Sequence, residues 1–143
     1  MLLWCEFCFE ASHTLPQFPE VHGHSYYAKA TIAGKADDGY VIPEHQLQQI
    51  CDGIRWKLDH KHLNNLMEVP TMEGIARFIW SEFERAKLLV TRVEVWRPTV
   101  RSGVIYEGGN ADLLQHKLGR AHQELKFMRD ALEYAYKLTQ KHD

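Results

Sequence analysis

Apolar positions along this chain follow two periods, and the change from one to the other outlines the elements. Residues 2–13 form a nearly unbroken apolar and aromatic run ending Phe9-Glu10-Ala11-Ser12-His13, which predicts a strand. Residues 14–21 carry two prolines and predict a loop. Residues 22–33, rich in aromatic and β-branched side chains, predict a second strand, and the Gly34-to-Gly39 cluster a turn. From Pro43 the period lengthens. Leu47, Ile50, Cys51, Ile54 and Leu58 repeat at helical spacing, and Pro43 stands where a first helical turn tolerates proline. After a connection over 63–70, Thr71 reads as the N-cap of a second helix with Ile75, Ala76, Ile79, Phe83 and Ala86 on one face. Strands are predicted at 91–97 and 103–107. The order ββααββ belongs to the α+β class, an antiparallel sheet covered by helices on one face.

Beyond Gly108-Gly109-Asn110 the pattern changes again. Leu114, Leu118, Ala121, Leu125, Met128, Leu132, Ala135 and Thr139 step by four and three, a heptad-like stripe with Asn110 as N-cap. It predicts a C-terminal helical extension over 108–143, distinct from a domain over 1–107. The stripe suits packing on its own domain or a contact between subunits; the second reading is favoured, although Ala121 and Ala135 make the seam shallow.

Composition narrows the class. The 143 residues are 45% hydrophobic and 25% charged, enough for a core without disulfide staples. Seventeen Lys and Arg against 19 Asp and Glu give a net charge of -2, which leaves no basic field for nucleic acid. No apolar run approaches the roughly 18 residues of a membrane span. The N-terminus lacks the basic segment of a secretion signal, so the expected location is cytoplasmic. Three cysteines, Cys5, Cys8 and Cys51, agree with a reducing compartment. Cys5 and Cys8 spell C-x-x-C, but on a strand they face opposite sides and cannot share a metal.

Candidate chemistry lies in the nine histidines. His45, His62, His116, His122 and His142 read as surface or helix residues. His22-Gly23-His24 on a strand projects two imidazoles from one face, and Gly23 admits a close neighbour. An antiparallel return brings His13 beside them. Three neutral imidazoles with a fourth position open make a catalytic zinc site; the plainer alternative is a pair of histidines flanking a bend. Asp59-His60 offers a carboxylate able to orient an imidazole for proton transfer, or ordinary helix-end chemistry.

The ordered set Phe9-Glu10-Ala11-Ser12-His13, His22-Gly23-His24-Ser25-Tyr26, Gly39-Tyr40-Val41-Ile42, Leu58-Asp59-His60-Lys61-His62-Leu63-Asn64 and Pro70-Thr71-Met72-Glu73-Gly74-Ile75-Ala76 resembles the 6-pyruvoyltetrahydropterin synthase / 6-carboxytetrahydropterin synthase family over residues 5–107. The resemblance implies the tunnelling (T-) fold, with subunits closing into trimers that pair as hexamers. It implies zinc on His13, His22 and His24, proton transfer by Asp59 and His60, Thr71 near the pterin pocket, and a lyase acting on 7,8-dihydroneopterin triphosphate or a related pterin. Queuosine-, folate- and biopterin-type products all stay open.

Two departures qualify it. The family's usual general base is a cysteine shortly before H-G-H. Residues 14–21 contain none, and their titratable side chain is Glu20. A family branch with a glutamate upstream of H-G-H, one residue further from it, is similar and yields 6-hydroxymethyl-dihydropterin. A carboxylate in a dry site reaches a useful pKa, so Glu20 is the candidate base; a solvated loop glutamate is the alternative. The glutamate with which the family grips the pterin edge falls here on Arg97 or Pro98, neither of which accepts those donors. Glu94 is about 13 Å back along the strand. Three readings follow: a zinc-dependent pterin lyase using Glu20, Asp59 and His60; an enzyme for another purine- or pterin-like substrate, with Arg97 reading an anion; or a non-catalytic assembly subunit.

Overall fold

A computed structural model describes residues 1–36, 38–109, 125–129 and 131–133. The chain divides into two compact units, Met1–Gly108 and Gly109–Asp143. The first holds β1 (Leu2–Leu15), β2 (Phe18–Ala33), α1 (Glu44–Leu58), β3 (Lys61–His62), α2 (Met72–Arg85), β4 (Leu89–Arg97) and β5 (Ser102–Tyr106). They form one sheet in the order β3-β1-β2-β4-β5. In the second unit, residues 125–129 and 131–133 are helical, with Leu125, Phe127, Met128 and Leu132 exposed. The remaining stripe positions, Leu114, Leu118, Ala121, Ala135 and Thr139, lie outside the described residues.

Register places the core. β1 and β2 run antiparallel from Leu2↔Ala33 to His13↔His22, so Phe9 faces Tyr26, Phe7 faces Ala28 and Cys5 faces Ala30. β2 continues the same face into β4, where Ala28 meets Val95 and Ala30 meets Val93. Leu47, Cys51, Ile54 and Leu58 of α1 and Ile75, Ala76, Ile79 and Phe83 of α2 bury against that face. The expected helical faces are those that pack, except that Ala86 is the half-buried C-cap of α2; Ile50 is partly buried and Trp80 joins the core. The two helices are joined by Glu82, 6% exposed, which accepts from Lys57 Nζ at 2.5 Å and from Arg85.

Two expectations are corrected. The predicted loop over 14–21 is a tight hairpin: only Pro16 and Gln17 turn, and Leu15 already pairs with Phe18. Pro16 occupies the second turn position, where its fixed φ helps the reversal rather than opening a loop. The register shifts between His13 and Leu15, so Pro19, Glu20 and Val21 stand opposite Thr14 as a bulge in β2. The second correction is β3, two residues parallel to β1 with Ala11↔Lys61 and Ser12↔His62, too short to show any periodicity in sequence.

Candidate metal centre

The site is built where the core face of the sheet runs out. Beyond the stacked Phe9 and Tyr26 rings (5.2 Å), the next pair on that face is Ala11 and His24, and the one after it His13 and His22. His13 is 3% exposed. The three ring centroids lie 4.5, 4.9 and 5.1 Å apart. One nitrogen from each ring falls within 4.8 Å of the others, a grouping able to hold a metal ion. A Cβ at Gly23 would stand 3.3 Å from the Ala11 carbonyl, so glycine suits the close cross-strand approach between the two histidines.

Second contacts set the tautomers. His13 Nδ1 donates to the Pro70 carbonyl at 2.6 Å, and His22 Nδ1 donates to the Glu20 carbonyl at 2.8 Å. In the neutral rings both Nε2 atoms therefore carry lone pairs, and these face each other at 3.0 Å. Two acceptors so close repel unless a cation stands between them, and a carbonyl on the far nitrogen is the usual support of a metal-ligating histidine. His24 differs. Arg97 Nη2 donates to its Nδ1 at 2.7 Å, and guanidinium has no acceptor to offer, so the neutral His24 carries its proton on Nε2. Arg97 thus meets a histidine of the triad, and its Nε lies buried with no hydrogen-bond partner among the described residues.

Burial, followed by the Arg97 charge, pushes the His24 pKa down to about 4, and burial pushes His13 down as well. Burial also raises Tyr26 to about 12, keeping the phenol neutral beneath the triad. These shifts predict a pH effect on the metal-free protein. Unfolded histidines take up protons from about pH 6.5 downward. The native rings resist until lower pH, so the stability they contribute above pH 6.5 should drain away as pH falls toward about 4. Urea titrations of chelator-treated protein between those limits check it; a flat profile contradicts it.

The second cluster follows α1. Asp59 Oδ1 accepts from the Glu10 backbone N–H at 2.9 Å, and Oδ2 meets Arg55 at 3.3 Å. The Glu10 amide is the main cause that holds Asp59 below the ordinary carboxylate range. His60 lies beyond the C-cap with φ at 56°, its amide donates to the Glu10 carbonyl at 2.6 Å, and its Nδ1 stands 3.1 Å from Asp59 Oδ1. Both ends of the pair are therefore pinned on β1. His60, His24, Ser12 and Thr99 line one open cleft of about 700 Å³.

The remaining predicted residues are placed differently. Glu20 meets the triad through its main chain while its side chain is exposed. Thr71 uses its hydroxyl to accept from Gly74 N–H at 3.3 Å, capping α2, and is not among the residues lining the cleft. His62, read in sequence as a surface residue, is half-buried in the cleft wall with Nδ1 3.2 Å from Ser12 Oγ. Sequence reading also missed Asn64, whose side chain clamps Thr14 next to His13 through bonds of 2.8 and 3.1 Å. Pro70 acts through a carbonyl, which every residue carries, so no sequence signal marks it.

Gly74 lies against the turn that precedes α2. A Cβ there would fall 2.2 Å from the Val69 carbonyl oxygen, which is backbone and cannot swing aside. Gly74→Ala should lower stability by about 1–3 kcal/mol through overpacking. Chemical denaturation measures this, and a neutral result would show that the 69–71 turn yields.

Comparisons with known proteins agree on one family. The family model described as 6-pyruvoyl tetrahydropterin synthase matches residues 2–109. A dihydroneopterin monophosphate aldolase of Pyrococcus furiosus is 30% identical over 93 residues, 62% of this chain and 82% of that protein. A putative 6-carboxy-5,6,7,8-tetrahydropterin synthase of Archaeoglobus fulgidus is 34% identical over 99 residues, 66% of this chain and 86% of its own length. Among solved structures, the 6-pyruvoyl tetrahydropterin synthase of Caenorhabditis elegans shares the fold with a TM-score of 0.63 at 19% identity, covering 76% of this chain and 95% of that one.

Proposed function

Since the chain belongs to the 6-pyruvoyl tetrahydropterin synthase family, we propose that it is a zinc-dependent lyase acting on a phosphorylated 7,8-dihydroneopterin and shortening its side chain. The observation that carries this is the triad: two Nε2 lone pairs face each other at 3.0 Å, each backed by a carbonyl on the far nitrogen. His13 and His22 would hold the ion as they stand. His24 would join through Nε2 once that proton is displaced, or through Nδ1 if Arg97 releases it. When bound, zinc supplies Lewis-acid polarisation of side-chain oxygens and acidifies the neighbouring C–H and O–H bonds.

The chain's own groups would move the protons. Asp59 accepts the Nδ1 proton of His60, which leaves Nε2 free to take or return one in the cleft. Glu20, on the bulge beside His22, is the base in the cysteine's place. The Pyrococcus relative's name, an aldolase for dihydroneopterin monophosphate, favours cleavage to a 6-hydroxymethyl product; the 6-carboxy product is the alternative drawn from the Archaeoglobus relative. Arg97 supports a second reading, in which the substrate is another purine- or pterin-like compound. Its buried Nε, without a partner among the described residues, suits an anionic oxygen of a ligand and not a pterin's donor edge.

The test is zinc per chain together with turnover of 7,8-dihydroneopterin triphosphate and monophosphate, products resolved by mass. Zinc near one per chain and a released side-chain fragment are expected, and the fragment identifies the product. Zinc without turnover of either compound would favour the second reading, and absence of zinc would overturn both. Trp4 and Tyr27, exposed on the sheet face away from the helices, suit the homo-oligomer the family resemblance implies, a trimer or hexamer measurable by light scattering. No helix among the described residues is long and apolar enough to cross a membrane.

A further inference from the structure

α1 lies along β1 and meets it at three points spaced one helical turn apart. Asp59 accepts from the Glu10 amide at 2.9 Å, Arg55 Nε donates to the Cys8 carbonyl at 3.1 Å, and Cys51 Sγ stands 2.7 Å from Cys5 Sγ. The first two contacts are polar and complete. The third brings together two thiols from elements 46 residues apart in sequence, with Cys51 only 6% exposed. Cys8 is exposed on the opposite face and takes no part. A displacement under about 1 Å would bring the two sulfurs to bonding distance.

We infer that Cys5 and Cys51 form a reversible disulfide fastening β1 to α1. Access is provided by a cavity of about 590 Å³ that both residues line with Leu3, Phe7, Val41 and Leu47. The roles of the two sulfurs are unequal. Cys51 donates its S–H to Cys5, which lowers the Cys5 pKa and raises that of Cys51, so Cys5 is the sulfur that ionises first. With a small disulfide such as glutathione disulfide as oxidant, the Cys5 thiolate attacks one sulfur and expels one glutathione thiolate. Cys51, giving its proton to solvent, then attacks Cys5 and expels the second. One S–S bond breaks, one forms, the protein dithiol is oxidised and the external disulfide is reduced to two thiols. The bond restrains the unfolded chain over the 46 residues that separate Cys5 from Cys51, a stretch that includes β2.

The experiment equilibrates the full chain in glutathione buffers from fully reduced to fully oxidised, quenches with acid, unfolds and alkylates. Intact mass then counts the thiols, and a non-reducing peptide map locates any bridge. Three alkylated cysteines are expected under reduction. Under oxidation one is expected, Cys8, with a peptide joining Cys5 to Cys51 and a Tm higher by roughly 10 °C. Cys8→Ser should keep both the bridge and the shift, whereas Cys5→Ser should lose both. Three alkylated cysteines in every buffer, or bridges that run through Cys8, overturn the inference. The mass count on the unsubstituted chain decides the matter even where a serine variant fails to fold. None of these readouts depends on zinc or turnover, so the outcome is separate from the proposed function.

Discussion

Alanine in place of His22 is expected to empty the proposed zinc site and to abolish turnover while leaving the fold intact. His22 is only half-buried, near the turn end of β2, and its ring meets those of His13, His24 and Phe18. Its removal takes one of two opposed Nε2 donors away and leaves His13 Nε2 without the neighbour 3.0 Å away. Loss of a supporting residue around a metal weakens affinity roughly 10–100-fold, and loss of a ligand should exceed that. Turnover should fall by at least about 10³, the equivalent of some 4 kcal/mol of lost transition-state stabilisation. Elemental analysis after dialysis, turnover and circular dichroism report the three quantities separately. Full zinc retention would exclude His22 as a ligand, while lost ellipticity would point to a structural role.

Glu20→Ala is expected to do the opposite with the metal. The contact that orients His22 comes from the Glu20 carbonyl, which truncation of the side chain does not touch. Zinc per chain should therefore stay at the wild-type level. If the carboxylate is the base, turnover should fall by roughly 10²–10⁴, the usual contribution of a positioned proton-transfer group. Glu20→Asp should recover part of the loss and Glu20→Gln none. Undiminished turnover in Glu20→Ala would remove this residue from the mechanism and shift proton transfer to the Asp59–His60 pair alone.

Legibility differed from element to element. The strand pattern of H-x-H, with His13 ending the previous strand, makes convergence of the three rings one of two readings, and the antiparallel register His13↔His22 is what brings them together. The Asp59–His60 contact was legible as adjacency. What was not legible is that Glu10 holds both residues, since that requires the parallel seating of β3 on β1. Two prolines suggested a loop over 14–21 because proline interrupts most strands. In the folded chain Pro16 fits the hairpin turn and Pro19 falls in a bulge, so both strands run on to the turn. In one sequence reading Arg97 meets an anionic part of the substrate. Its meeting with His24 depends on β4 lying beside β2, a pairing between residues 73 apart in sequence.

The sequence by itself determined the class of the fold, the faces that α1 and α2 bury, the three histidines that converge and the family to which residues 2–109 belong. Each of these follows from local periodicity or from an ordered set of motifs, both carried by the order of residues alone. Tertiary structure decided which nitrogen of each imidazole is free. It also drew His62 and Asn64 into the site and set Cys51 against Cys5. Those outcomes hang on carbonyls, on a two-residue strand and on contacts between distant elements, where hydrogen bonding and packing choose partners that no spacing along the chain encodes.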